Sequence, residues 1–260
     1  VIISHKYQFI FVHNRKCAGS SIASCLYPHL GPRDIYLDSI QTITNCFPPR
    51  KFIVRDVFLN PKGLGMLALK GGGRAITRKG SFEGVLRDSL YSSYKKLFPE
   101  TQSPIFPNAS EVQKAFPYEW ENYYKFCFVR NPYSKMVSDY FWRRSLKGSE
   151  VGFDEFVRRA YFESIEGKKQ DDLLPSPITN WPLYTIEDNV VMDYVGFFES
   201  LDLDFYFVAS KLDLPVDAMA LPELKKRSGL FDYRDIYTEV SRELVYSLCS
   251  KEIDEHKYSF

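Results

Sequence analysis

The sequence has no apolar run near the ~20 residues that a membrane-spanning helix requires, so no span is expected within the chain. It has almost no charge imbalance. Lys and Arg number 34 against 33 Asp and Glu, a formal net charge of +1. A general nucleic-acid binder shows a basic excess or stripe, and none is expected here. Any anionic ligand must be held by local charge. Cysteine is sparse: Cys17, Cys25, Cys46, Cys127 and Cys249 are scattered, with no CxxC pair and no Cys/His ligand spacing. No metal site is expected, and Cys127, inside an apolar run, reads as a core thiol. The phosphate-loop pattern GxxxxGK[ST] is absent, as are internal repeats and low-complexity tracts.

What is present is an ordinary globular composition, 45% hydrophobic and 26% charged over 260 residues. That length suits one domain with a substantial core, so residues 1–260 are read as a single domain. Aromatics reach 16%, which fits a thick core or a ring-lined pocket. Residues 7–12 read as a buried strand rich in β-formers. A polar turn, His13 to Gly19, follows, and Ser20 to Leu26 reads as a helix ending before Pro28. Lys51 to Phe58 reads as another strand. Lys62, Lys70, Arg74, Arg78 and Lys79 surround Gly71-Gly72-Gly73 with no acid between Asp56 and Glu83, so 60–80 reads as a mobile basic loop or an ordinary solvated one. Helices are expected over 83–98 and 111–123. Lys125 to Val129 is a buried strand closed by Arg130-Asn131-Pro132, and Tyr133 to Arg144 a helix with Pro132 preset at its start. Further helices are expected over 153–166, 200–212 and 237–253, with a strand in 190–197. Alternating strands and helices argue for an α/β fold with a mainly parallel sheet. Ligands in such folds bind outside the carboxyl ends of the strands, where both polar turns fall.

Two segments carry chemistry. In the first, His13-Asn14-Arg15-Lys16-Cys17-Ala18-Gly19-Ser20-Ser21, Gly19 permits close backbone approach. Ser20 and Ser21 offer hydroxyls and helix-start amides to an anion, and Lys16 offers a point charge. An ordinary capped helix would share this spacing. In the second, Arg130 stands at a strand end, where it can grip a phosphate bidentately. Ser138 follows on the next helix. An Arg satisfying loop carbonyls would read the same way.

Taken together the segments resemble the sulfotransferases that use 3′-phosphoadenosine-5′-phosphosulfate (PAPS), in particular the carbohydrate-type, family 2-like branch and its bacterial relatives. The matching residues are His13, Lys16, Ala18, Gly19 and Ser21, then Arg130, Asn131, Pro132, Tyr133, Val137, Ser138 and Tyr140. Asp193-Tyr194-Val195-Gly196 with Phe198-Glu199 also looks familial, as do Leu221-Pro222, Asp232 to Thr238 and the tail from Lys251. The resemblance implies a P-loop-NTPase-like, three-layer fold with a central, mainly parallel sheet flanked by helices. It implies PAPS as co-substrate and adenosine 3′,5′-bisphosphate (PAP) as product, with no metal. Arg15, Lys16, Cys17, Ala18, Gly19, Ser20 and Ser21 would wrap the 5′-phosphosulfate, and Arg130 and Ser138 would hold the 3′-phosphate. The chain departs from the pattern at several places. Arg15 replaces a Pro, Cys17 a Thr, Ser20 a Thr and Phe197 an Arg. Asn108 falls where many relatives carry His.

Lys16 is thus the expected stabiliser of the leaving group, and His13 the first candidate for the base. Asp56 is the runner-up; His29 is weaker and His256 is discounted. The expected acceptor is a carbohydrate hydroxyl, with an amine or a small metabolite as alternatives. A non-catalytic protein that binds a nucleotide or sulfated glycans is the reading from another class. The sparse, odd cysteine set favours a reducing, cytoplasmic location. Val1 in place of Met and the Asn108-Ala109-Ser110 sequon leave the Golgi lumen, after loss of an N-terminal anchor, as the alternative.

Overall fold

The structure is a computed structural model, and it describes residues 1–37, 95–99, 105–167, 172–215, 221 and 232–260. The 51–58 strand, the 60–80 loop, Asp56 and most of the 83–98 helix lie outside the described residues.

The central sheet contains β1 (Ile2–Ser4), β2 (Phe9–Val12), β3 (Ile35–Tyr36), β4 (Tyr124–Val129) and β7 (Tyr194–Phe197), in the order β3-β1-β2-β4-β7. β2 pairs with β4 and β4 with β7 in parallel. β1 is antiparallel to both of its neighbours, so it alone is reversed. The chain is therefore α/β with a mostly parallel central sheet, as the alternating pattern predicts. β2 and the Phe126–Val129 stretch of β4 are fully buried, as expected for parallel strands covered on both faces. Their apolar runs are the reason the sequence announces them.

Each parallel strand feeds a helix: β2 leads to α1 (Gly19–Leu26), β4 to α4 (Pro132–Lys147) and β7 to α7 (Leu201–Lys211). The sheet register sets Val12 beside Cys127 and Val129 beside Phe197. His13, Arg130 and Phe198 therefore leave the sheet along one edge. Helix α4 is opened by Asn131, whose side chain accepts from the Tyr133 amide, and is closed by Gly148 in the left-handed region (φ 63). Its inner face packs Tyr133, Met136, Val137 and Tyr140 against α5 (Phe153–Glu166) and α8 (Glu239–Glu255), through Phe156, Val157, Val245 and Ile253. The C-terminal tail closes this second core. Phe260 sets its ring edge-on to Tyr133 and Tyr237.

Three local differences from the sequence reading have clear causes. The 111–123 helix is two helices, α2 (Ala109–Ala115) and α3 (Pro117–Asn122). Phe116 is non-helical between them, because Pro117 lacks the N–H that a continuous helix needs. The 190–197 strand is also two pieces. β6 (Asn189–Val190) pairs with β5 (Thr185–Ile186) across Glu187 and Asp188, both at positive φ. That is a two-residue hairpin turn of the primed kind, normally signalled by Asn-Gly or Asp-Gly. β1 and β3 are only three and two residues long, too short to show a period.

Gly196 faces the ring of Phe128: a Cβ there would lie 2.6 Å from Phe128 Cε1 and 3.1 Å from Asp204 Cβ. Gly196→Ala is expected to destabilise the protein by about 1–3 kcal/mol through overpacking. A denaturant titration with an unchanged midpoint would show that this crossing has slack.

Candidate active site

The loop between β2 and α1 is strained and internally supported. Lys16 (φ 60) and Ala18 (φ 59) are both left-handed, at about 1–2 kcal/mol each for residues that carry a Cβ. Helix α1 begins on Ala18 with no side-chain cap and no acid in its first turn. The Ser21 and Ile22 amides return to the Ala18 carbonyl. The amides of Cys17, Ala18 and Gly19 find no backbone acceptor among the described residues. Uncapped helix-start amides with no nearby acid suit an anion. Gly19 is required by crowding, since a Cβ on it would lie 2.0 Å from His13 Cδ2 and Nε2. His13 is 7% exposed. Its ring stacks on Phe11 and meets Phe106 edge-on.

Two buried residues far along the chain hold this loop. Asn180 is fully buried. Its Oδ1 accepts from the Arg15 amide at 3.1 Å, and its Nδ2 donates to the Arg15 carbonyl at 3.0 Å. The same Nδ2 approaches Cys17 Sγ at 3.4 Å, and the thiol reaches the Arg15 carbonyl at 3.2 Å. Asp139 on α4 is also fully buried. It takes the Arg15 guanidinium at 2.7 Å on one oxygen and Lys135 Nζ at 3.1 Å on the other. Lys135 also donates to the Ile178 carbonyl at 2.8 Å. Burial pushes the Asp139 carboxyl up, but Arg15, Lys135 and Lys16 outweigh it and hold the group below its ordinary value. Arg15 and Cys17 therefore face inward, and their part in the loop is to fix its shape. Lys16 is half-buried, with Nζ 5.3 Å from the Trp142 ring centre.

The second segment meets the first directly. Arg130 donates through NH1 to the Lys16 carbonyl at 3.3 Å and through Nε to Ser134 Oγ at 2.6 Å. Its guanidinium lies 4.1 Å from the centre of the Phe198 ring. Burial lowers its pKa. Ser138 stands one turn beyond Ser134 on the same face of α4. It is half-buried, and its hydroxyl has no partner among the described residues. Glu199 accepts from the Asn131 amide at 2.9 Å and fixes the turn at the end of β4.

The structure thus brings His13, the Arg15–Ser21 loop and Arg130 to one strand edge, with Ser138 along α4. It sets Asn108 to a different task. Asn108 caps α2 in a reciprocal box with Glu111, and also accepts from Ser110 Oγ. His29 ends a short 3-10 turn (Tyr27–His29). Phe197 packs against His256 and Tyr258, so the position where relatives carry Arg is apolar here. Sequence reasoning missed Asn180, Asp139, Lys135 and Ser134. It also missed Glu252, although that residue shares the spacing of the buried Val245, Cys249 and Ile253 on α8.

Beneath the loop, α6 (Trp181–Tyr184) follows Asn180. The Tyr184 hydroxyl donates to Glu252 Oε1 at 3.2 Å and lies 3.1 Å from His256 Nε2. Glu252 is buried, with no partner for Oε2 among the described residues. Burial pushes its carboxyl up to about 7, against weaker pulls from Lys135 and Tyr184. Among the described residues no helix is long and apolar enough to cross a membrane.

A loop carrying Arg15 and Lys16 and an arginine, joined at the carboxyl ends of adjacent parallel strands, mark the candidate site of this α/β protein. The sulfotransferase family model matches residues 1–228, and the chain belongs to that family, in its family 2-like branch. It is also similar to an uncharacterised protein of Archaeoglobus fulgidus, 31% identical over 98 residues, covering 37% of this chain and 72% of the other. No solved structure matches it.

Asn180→Ala strands the Arg15 amide in the interior and leaves the Arg15 carbonyl only the Cys17 thiol. It is expected to cost about 2 kcal/mol or more and to weaken binding of PAP, read by calorimetry. An unchanged midpoint and affinity would remove Asn180 from this role. Glu252 keeps its proton in the folded state between its ordinary pKa of 4.5 and about 7. The folded state binds more protons in that window, so stability falls as pH rises through it. Glu252→Gln is expected to flatten this slope. Above pH 7 the variant should be more stable than the parent by up to about 3 kcal/mol, with parity below the window. Parallel stability–pH curves would contradict the assignment.

Proposed function

We propose that the protein transfers a sulfonate group from PAPS to a carbohydrate hydroxyl, releasing PAP. The observation that carries this reading is the hydrogen bond from Arg130 to the Lys16 carbonyl, which brings the two familial motifs into contact. The open amides of Cys17, Ala18 and Gly19 suit the 5′-phosphate. Arg130, with the hydroxyl of Ser138, suits the 3′-phosphate. The β2–loop–α1 unit is the counterpart of a phosphate loop in a P-loop-like, three-layer arrangement, although it lacks that loop's usual sequence.

Transfer of this kind is an in-line displacement, helped chiefly by positioning and charge. The bond between sulfur and the bridging phosphate oxygen breaks as sulfur bonds to the acceptor oxygen. Lys16 stabilises the charge left on the departing phosphate. His13 is the candidate to take the acceptor proton. Its buried ring lies against Gly19 and is held by Phe11 and Phe106, so its orientation is fixed. The scheme requires no metal. A cytoplasmic setting fits the thiols of Cys17, Cys127 and Cys249, which are free and buried.

A radiolabelled-PAPS transfer screen over desulfated glycans, small alcohols and amines tests the activity and identifies the acceptor. Binding of sulfated glycans without any transfer would favour a non-catalytic protein. Lys16→Ala is expected to abolish transfer while retaining PAP binding. Arg130→Ala should weaken PAP far more than adenosine 5′-phosphosulfate, and equal losses would take Arg130 away from the 3′-phosphate. Undiminished turnover by His13→Gln would remove His13 as the base.

A further inference from the structure

The backbone of Lys16 is fixed by its neighbours: Asn180 clamps the Arg15 peptide, and Arg130 holds the Lys16 carbonyl. A lysine side chain is a long flexible stem, however, and a fixed backbone does not aim its ammonium. The side chain has a partner of its own. Lys16 Nζ lies 5.3 Å from the Trp142 ring centre, inside the roughly 6 Å range of a cation–π contact. Trp142 stands four residues after Ser138 on α4. Ser134, Ser138 and Trp142 therefore follow one another along one face of that helix.

The surroundings show why an aromatic ring is suited to this place. The Asp139 carboxylate is close enough to feel the charge of Lys16, but both of its oxygens are already taken by Arg15 and Lys135. An indole face attracts the ammonium and leaves its charge intact. The next residue, Arg143, is anchored separately. Its guanidinium donates to the carbonyls of Asp172, Leu173 and Leu174, and it sits 5.8 Å from the same indole. The same ring thus lies between an anchored guanidinium and the Lys16 ammonium. Trp142 is 38% exposed, unlike the residues that build the core.

We propose that Trp142 is a positioning residue for sulfonate transfer, holding the Lys16 ammonium in place through the face of its indole. This rests on the assignment of Lys16 to the leaving group. The test uses the full chain, with PAPS as donor, and follows PAP release and PAP binding. Trp142→Leu is expected to lower kcat about three- to tenfold, with the KM for PAPS and the Kd for PAP changed less than about twofold. Trp142→Phe, which keeps a ring, should recover most of the loss. PAP should change the indole fluorescence of the parent, and this signal should shrink in Lys16→Ala and Trp142→Phe, with Trp181, next to the loop-clamping Asn180, supplying any remainder. Parental kcat in Trp142→Leu, or equal losses in the Leu and Phe variants, overturns the proposal. So does a change confined to the acceptor KM, which would make Trp142 an acceptor platform. Full turnover by Lys16→Ala alone would instead defeat the assignment of Lys16 itself. An inactive Lys16→Ala beside an unimpaired Trp142→Leu defeats only the role of Trp142.

Discussion

The buried carboxylate of Asp139 takes a guanidinium from the β2–α1 loop on one oxygen and an ammonium from its own helix on the other. Removing one partner of such a buried cluster costs about 3–5 kcal/mol, because a charge is left unpaired in the interior. The cluster ties the loop that carries Lys16 to the helix that carries Ser138. The two segments come from distant parts of the chain, and this ion pair joins them. Asn180 acts in concert by engaging both polar groups of the Arg15 peptide. The left-handed conformations at Lys16 and Ala18 persist because these contacts over-determine the loop.

The sheet supplies the rest of the geometry. Parallel pairing of β2 with β4 makes both strands end on one side, so a loop and an arginine far apart in sequence emerge together. The arginine then bonds the loop's own backbone. Its partners are the Lys16 carbonyl in the β2–α1 loop, Ser134 in the first turn of α4 and Phe198 just after β7. Shape at this site is a property of the whole sheet edge, and no single motif holds it.

Much of this was legible in the residues. Phe9–Val12 and Phe126–Val129 are apolar runs closed by polar turns, and their helices follow at once. The Phe153–Glu166 helix has the bounds its apolar spacing predicts. Side-chain direction was not legible. Arg15 sits among presumed ligand residues, yet its charge is spent inward on Asp139. No local pattern distinguishes an arginine that faces a ligand from one that faces a buried carboxylate. Asn180 was missed because a side chain that mimics a peptide leaves no spacing signal. The turn at Glu187-Asp188 was hidden for a similar reason, since neither residue is a usual left-handed one. Glu252 did leave a trace: a carboxylate on the apolar stripe of α8.

The side chains that shape the β2–α1 loop, Arg15, Cys17, Asp139 and Asn180, are sealed in the interior. Drift at the surface therefore has little purchase on them. In evolutionary terms the loop is a sheltered module: substitutions can accumulate at the exposed rim while the shape of the loop is kept.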